Sequence, residues 1–234
     1  MKAGILLPVF NAERYVEEAL QSAIKQTHRD TMIYTRDDAS TDESIQITNR
    51  YGLKYSEKIT LVDQHENKNL GWAANHNRLA QKAIKEGCET IFMFNADDMM
   101  TGMLIEKMAK EIELGYDFVC CQGTIFHKTG DNHTRIIGSH KPKSFCEWQE
   151  FKHYNHLTSF AMFKSSVWES MGGYDTSVNG YEDWELWIRL LKAGYKYKVI
   201  EQPLYWYRDH AAQTSKGVNK QHCIDYIHKK HFNS

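Results

Sequence analysis

The chain has 234 residues, 41% hydrophobic and 25% charged, with a formal net charge of −1. That is the composition of one folded domain with a sizeable core, and it excludes an intrinsically disordered chain. The near-neutral balance gives no overall attraction to nucleic acid or to an acidic membrane. Ile5–Phe10 is too short and too soon interrupted by charge to be a signal-peptide core or a membrane span. The five cysteines include no CxxC pair, so neither a disulfide framework nor a cysteine zinc site is indicated, and a cytoplasmic location is expected.

Gly4–Val9 reads as a buried strand, and the spacing of Val16, Ala19, Leu20, Ala23 and Ile24 predicts a helix over 13–26. A second strand is expected at Thr31–Thr35, ending in Arg36-Asp37-Asp38, with a helix from Ser44 to Tyr51. Strand Lys58–Val62, helix Gly71–Glu86 and strand Thr90–Phe94 come next, the last running into Asn95-Ala96-Asp97-Asp98. A helix near 103–114 and a strand at Asp117–Cys121 complete a βαβ pattern. This implies a mainly parallel sheet flanked by helices, with ligands at the carboxyl ends of its strands.

The pattern then loosens. Residues 122–137 suggest strands or a hairpin with a turn around Thr129–His133, and 138–156 a loop with a short helix. A strand at Leu157–Phe163, a turn at Gly172–Asp175, a helix at Glu182–Lys192, strands at Tyr195–Ile200 and Leu204–Tyr207, and a final helix over 218–231 are expected. No repeat or linker divides the chain. It reads as one domain, with a nucleotide-binding half of about 1–100, an acceptor half of about 101–215 and a tail of 216–234.

Four segments carry chemistry. After the first strand there is neither GxGxxG nor GxxxxGK[ST], which argues against a dinucleotide oxidoreductase and a P-loop NTPase. Instead, the strand end Pro8-Val9-Phe10 can present backbone groups to a planar base, and Asp38 can accept from a base N–H. Asp37 and Asp38 serve equally as caps of the next helix. Asp97 and Asp98 suit a hard divalent cation, Mg²⁺ or Mn²⁺, or again a helix cap. Glu182 and Asp183 open a helix, where first-turn carboxylates are also commonplace. Trp184, Trp187 and Ile188 read as core rather than sugar-stacking residues. His210 could ligate a metal or donate to a phosphate.

In this order and spacing the segments resemble the inverting family-2 glycosyltransferases, over about residues 3–215. The resemblance implies a single GT-A domain. It implies a base pocket from Pro8, Val9, Phe10, Asn11 and Asp38, with Asn69–Asn77 as the next donor segment. His76 stands there where the family often has arginine. Asn95-Ala96-Asp97-Asp98 is similar to the family's DxD-type motif with Asn95 replacing the first aspartate, leaving Asp98 and Asp97 as metal ligands. Glu182-Asp183 matches the ED motif, making Asp183 the general base and Glu182 its support. Tyr207-Arg208-Asp209-His210 resembles the segment whose histidine reaches the metal or diphosphate.

The resemblance further implies transfer of one sugar, from a UDP-sugar by first expectation, to an acceptor hydroxyl by single displacement. The acceptor could be a glycan, a lipid-linked sugar or another hydroxyl compound, with nucleic acid the weaker candidate. Two other readings are a catalytically degenerate nucleotide-sugar-binding module, motivated by Asn95 and His76, and a sugar-1-phosphate nucleotidyltransferase. The latter should show a glycine-rich basic loop after the first strand, which PVFNAERY lacks.

Overall fold

A computed structural model describes residues 1–63, 68–128, 133–178, 180–211, 213 and 219–232. The elements begin with β1 (Ala3–Val9), α1 (Val16–Ile24), β2 (Thr31–Asp37), α2 (Ser44–Lys54), β3 (Ile59–Leu61), α3 (Trp72–Lys85) and β4 (Thr90–Met93). Next come β5 (Met99–Met100), α4 (Leu104–Glu113), β6 (Phe118–Lys128), β7 (Thr134–His140), a 3₁₀ turn (Trp148–Lys152) and β8 (Ala161–Lys164). The chain ends with α5 (Ser165–Met171), α6 (Glu182–Lys192), β9 (Tyr197–Arg208) and α7 (Lys220–His231).

One sheet runs β3-β2-β1-β4-β8-β6-β9-β5, with β7 paired to β6. Its first four strands are parallel. Beyond β4 the sheet becomes mixed: β8 is antiparallel to β4 and β6, whereas β9 runs parallel to β6. β1 shows why the segment is a central strand. Ile5, Leu7 and Val9 face the core layer shared with α1 and α4, and Leu6 faces the layer shared with α3 and α6, as a period of two requires.

The two late strands expected at 195–200 and 204–207 are one, β9. The register of β6 against β9 slips around Gln122, between partners Ile200 and Pro203. Pro203 has no N–H to give the ladder, so the break falls where pairing is weakest. The two-residue β5 and the short α5 escape a reading by periodicity, being shorter than the period needs. The expected 129–133 turn lies outside the described residues apart from His133, and so do most residues of 212–218. All five cysteines are buried, and no disulfide joins them. No helix among the described residues is long and apolar enough to cross a membrane.

Candidate active site

The parallel strands β1, β2 and β4 end at one edge, and the loops that leave them meet there. Asp38 N–H donates to Val9 O at 2.7 Å. Asn11 N–H donates to Ser40 Oγ at 2.9 Å, and Asn11 Oδ1 accepts from Thr41 N–H at 2.8 Å. Pro8 and Val9 are buried within β1, while Phe10 is 51% exposed and Asn11 lies beside it at the rim. Asn11 and Ala39 hold positive φ, 46° and 63°, a conformation costly for side-chain-bearing residues and concentrated at functional loops.

Asp38 is buried among three donors. Arg36 Nη1 and Leu70 N–H reach Oδ1 at 2.7 and 2.8 Å, and Gly71 N–H reaches Oδ2 at 2.9 Å. Its carboxylate therefore anchors the segment entering α3 instead of standing open to a base N–H. Gly71 takes φ +83° to make this approach, a torsion that glycine adopts without a Cβ penalty. Asp37 Oδ2 accepts from Ser40 N–H at 2.9 Å, closing the turn before α2. Asn77 also differs from expectation: its amide donates to Tyr174 O at 2.8 Å and accepts from Tyr174 N–H at 2.9 Å. It pins the 172–174 turn rather than touching a donor. A Cβ added at Gly173 would lie 2.5 Å from Asn77 Oδ1. His76 is fully enclosed, and burial pushes its imidazole down to about 4, so it lacks the charge an arginine would bring at neutral pH.

The two aspartates after β4 part company. Asp98 is 1% exposed. Tyr205 hydroxyl and Asn95 Nδ2 donate to its Oδ2 at 2.8 and 3.1 Å, and Arg208 N–H to its Oδ1 at 2.8 Å. Burial, with the Asp97 charge adding to it, pushes its carboxyl up to about 8. Both oxygens accept hydrogen bonds inside the protein, so Asp98 ties β9 to the loop. Asp97 turns the other way. Its Oδ2 lies 2.9 Å from His210 Nε2, with side chains 28% and 12% exposed. Arg208 Nε donates to Asp97 O, and its Nη2 to Glu18 Oε2, both at 2.6 Å, between the rings of Tyr15 and Phe126. Asn95 Oδ1 accepts from Trp72 Nε1 at 3.0 Å.

α6 begins with the second pair of carboxylates, Glu182 and Asp183. Asp183 Oδ2 accepts from Asn155 Nδ2 at 2.9 Å, and burial raises its carboxyl above the usual range. Burial likewise pushes Glu182 up to about 7, against a backbone bond from Gly180 N–H at 3.0 Å. A proton acceptor near neutrality is what such an environment makes of a carboxylate. Trp184 and Trp187 are buried, as expected of core residues. The Tyr174 ring lies 4.9 Å from that of Trp72, which is bonded to Asn95, and burial, with the Asp183 and Glu182 charges adding to it, pushes the Tyr174 hydroxyl up.

Trp72, Tyr174 and Asn155 bond to or pack beside the predicted residues though no motif in the sequence singles them out, and Arg208 belongs to the Tyr207–His210 segment without a role assigned to it there. The one local signal is Tyr205 and Arg208 flanking half-buried positions of β9.

This arrangement belongs to a known class. The sequence model described as "Glycosyl transferase family 2" matches residues 4–171. The chain is 26% identical over 213 residues to the putative glycosyltransferase EpsE of Bacillus subtilis, with 89% of this chain and 73% of that protein aligned. It is 28% identical to YwdF of the same organism, an uncharacterised glycosyltransferase, over 99% of this chain and 84% of that one. Among solved structures, residues 1–349 of S. aureus TarS with UDP-GlcNAc superpose with a TM-score of 0.72 at 17% identity, covering 93% of this chain and 61% of that one. The mannosyltransferase PcManGT of Pyrobaculum calidifontis, with GDP-Man and Mn²⁺, gives 0.61 at 17% identity, covering 98% and 61%. The fold is that of GT-A glycosyltransferases, and the chain spans about three-fifths of these two solved chains. It belongs to glycosyl transferase family 2 and is a glycosyltransferase.

Proposed function

We propose that this chain moves a single sugar from a nucleotide-sugar, a UDP-sugar in the first instance, to an acceptor hydroxyl with inversion at the anomeric carbon. The observation that carries the reading is the division of carboxylates. Asp97 is paired with His210 at the edge where β1, β2 and β4 end, and Asp183, raised by burial and bonded to Asn155, opens α6. The donor diphosphate belongs at the first and the attacking hydroxyl at the second.

A divalent cation fits the first pair. Among the described residues no three His, Cys, Asp or Glu side chains converge to hold a metal on their own. Mg²⁺ is commonly held by one or two protein ligands, with substrate phosphates and water supplying the rest. Asp97 and His210 would hold it, and once bound with the donor it would offset charge building on the leaving diphosphate. PcManGT's complex with GDP-Man and Mn²⁺ supports the same reading.

The chain's own groups do the remainder. Phe10 and Asn11 border the base, and Asp38 fixes the wall formed by Leu70 and Gly71. Arg208 holds the Asp97 backbone in place. Asp183 takes the proton from the acceptor hydroxyl as it attacks from the face opposite the leaving group, with Asn155 fixing the carboxylate's orientation. The test is a thermal-shift panel of UDP-, GDP- and dTDP-sugars with and without Mn²⁺. Stabilisation by one nucleotide class, enhanced by Mn²⁺ and accompanied by slow release of nucleotide diphosphate, is expected. Binding without any turnover would favour the degenerate binding module.

A further inference from the structure

If the chain transfers a sugar in this way, the sugar passes near the loop after β4, and one side chain ties that loop to Tyr174. The indole N–H of Trp72 donates to Asn95 Oδ1, two residues before Asp97. Its ring centroid lies 4.9 Å from that of Tyr174, and His76, one helical turn on, packs 4.2 Å from it. Its backbone starts α3 immediately after Gly71, whose N–H is bound by Asp38. Trp72 is thus fixed at its N–H, its ring and its backbone, yet part of its surface remains exposed. Trp184 and Trp187 of α6 are sealed in the core. Tyr174 keeps a buried hydroxyl with no hydrogen-bond partner among the described residues, a polar group left over on the Asp183 side.

We propose that Trp72 is the stacking platform for the transferred sugar and selects donors whose pyranose ring offers an apolar C–H face. The ring face of an indole carries negative quadrupolar charge, and pyranose C–H groups are its positive complement. A platform already held by Asn95, Tyr174 and His76 loses little freedom when the sugar arrives, so most of the contact appears as affinity. Asn95 also gains a reason for standing where the family's aspartate does. One side chain must accept from Trp72 and donate to the buried Asp98, and an ionised carboxylate cannot do the second.

The experiment compares paired ligands, UDP-GlcNAc and UDP-Glc against UDP, and GDP-Man against GDP, by calorimetry with Mn²⁺. Trp72→Leu keeps apolar bulk without the π face, and Trp72→Phe keeps a π face without the N–H. Trp72→Leu is expected to weaken the sugar nucleotide about tenfold, the worth of a good aromatic contact, while the free diphosphate changes less than about twofold. Trp72→Phe should retain most of the difference. Equal losses for both ligands would assign Trp72 a structural role only, and no loss for either would remove it from the site. If Trp72→Leu does not fold, ¹⁵N-labelled wild type decides. The indole resonance missing from Trp72→Phe should move with the sugar nucleotide and stay with the free diphosphate; identical movement with both overturns the proposal. If wild type binds none of the nucleotides, it is the donor reading that fails.

Discussion

His210 Nε2 lies 2.9 Å from Asp97 Oδ2, bringing together two residues 113 apart in the chain. Neither side chain is sealed, so neither holds up the fold in the way their neighbours do. Asp97→Ala and His210→Ala are therefore expected to unfold in urea within about 1 kcal/mol of wild type. Asp97→Ala should remove the Mn²⁺-dependent part of nucleotide diphosphate affinity, and His210→Ala should reduce it. Calorimetry with and without Mn²⁺ checks both, and an undiminished Mn²⁺ effect in Asp97→Ala would rule this pair out as ligands.

Asp98 should behave in the opposite way. Its substitution by alanine strands the Tyr205 hydroxyl, the Arg208 N–H and the Asn95 amide in the interior. Leaving buried donors unmet costs about 1–3 kcal/mol each where water cannot enter, so a large fall in the urea midpoint is expected. Asn95→Asp, which restores the family's aspartate, should also destabilise. It sets a second carboxylate where an amide now donates to Asp98 at 3.1 Å, and an ionised carboxylate has no hydrogen to donate. A stability equal to wild type in both variants would contradict the role assigned to Asp98.

Asp183 and Glu182 make a pH prediction. A general base must be ionised, so activity rises with pH through its pKa and is lost as pH falls. Burial holds Asp183 above the usual aspartate value, so the acid limb of kcat/KM should lie above that of an exposed aspartate. The Asn155 amide works against burial by stabilising the ionised form; Asn155→Ala is expected to shift the limb further upward. Asp183→Asn should lower turnover about 10²–10⁴-fold with donor affinity retained. Glu182, pushed to about 7, titrates within the same profile, and Glu182→Gln identifies its share. Loss of donor binding in Asp183→Asn, with turnover intact, would refute the assignment.

The parallel half of the sheet was legible because its strands are short apolar runs between amphipathic helices. Thus β1, β2 and β4 lie close to where the hydrophobic pattern puts them. Their loop carboxylates were also legible as a group, since ligands collect at strand ends in such sheets. Which aspartate faces out was not. Asp97 and Asp98 are adjacent and chemically identical, and the choice is made by Tyr205 and Arg208 more than a hundred residues later. Asn77 misled for the same reason. It sits one helical turn beyond Trp72 and Ala73, near the donor side in sequence, but tertiary packing gives both its amide atoms to Tyr174. Trp72 looked like any helix-start tryptophan until Asn95 and Tyr174 were placed around it.

The last helix is bonded to α6. Glu185, one turn after the first residues of α6, is wholly buried. Arg189 Nε binds its two oxygens at 2.9 and 2.8 Å, and α7 adds Lys230 Nζ and His231 Nε2 at 2.9 Å each. Lys230 also reaches Asp175 at 2.6 Å, which accepts from the Tyr226 hydroxyl at 2.8 Å. α7 is thus clamped to the helix whose first turn carries Glu182 and Asp183. Despite burial, the hydrogen bonds from His231, Arg189 and Lys230 hold Glu185 down at about 2. A carboxyl lowered on folding contributes stability that is present above its ordinary pKa of about 4.5 and lost as pH falls toward 2. Glu185→Gln is expected to cost about 3 kcal/mol at pH 7, as breaking a buried charge cluster does, and to flatten the decline in stability between about pH 4.5 and pH 2. Urea unfolding at pH 7, 5 and 3 measures both effects. Because α6 holds Asp183, the variant should also lose turnover at temperatures where it remains folded. A Glu185→Gln protein with wild-type stability at pH 7 would show that α7 rests on its apolar contacts, Cys223 and Ile227, and not on this clamp.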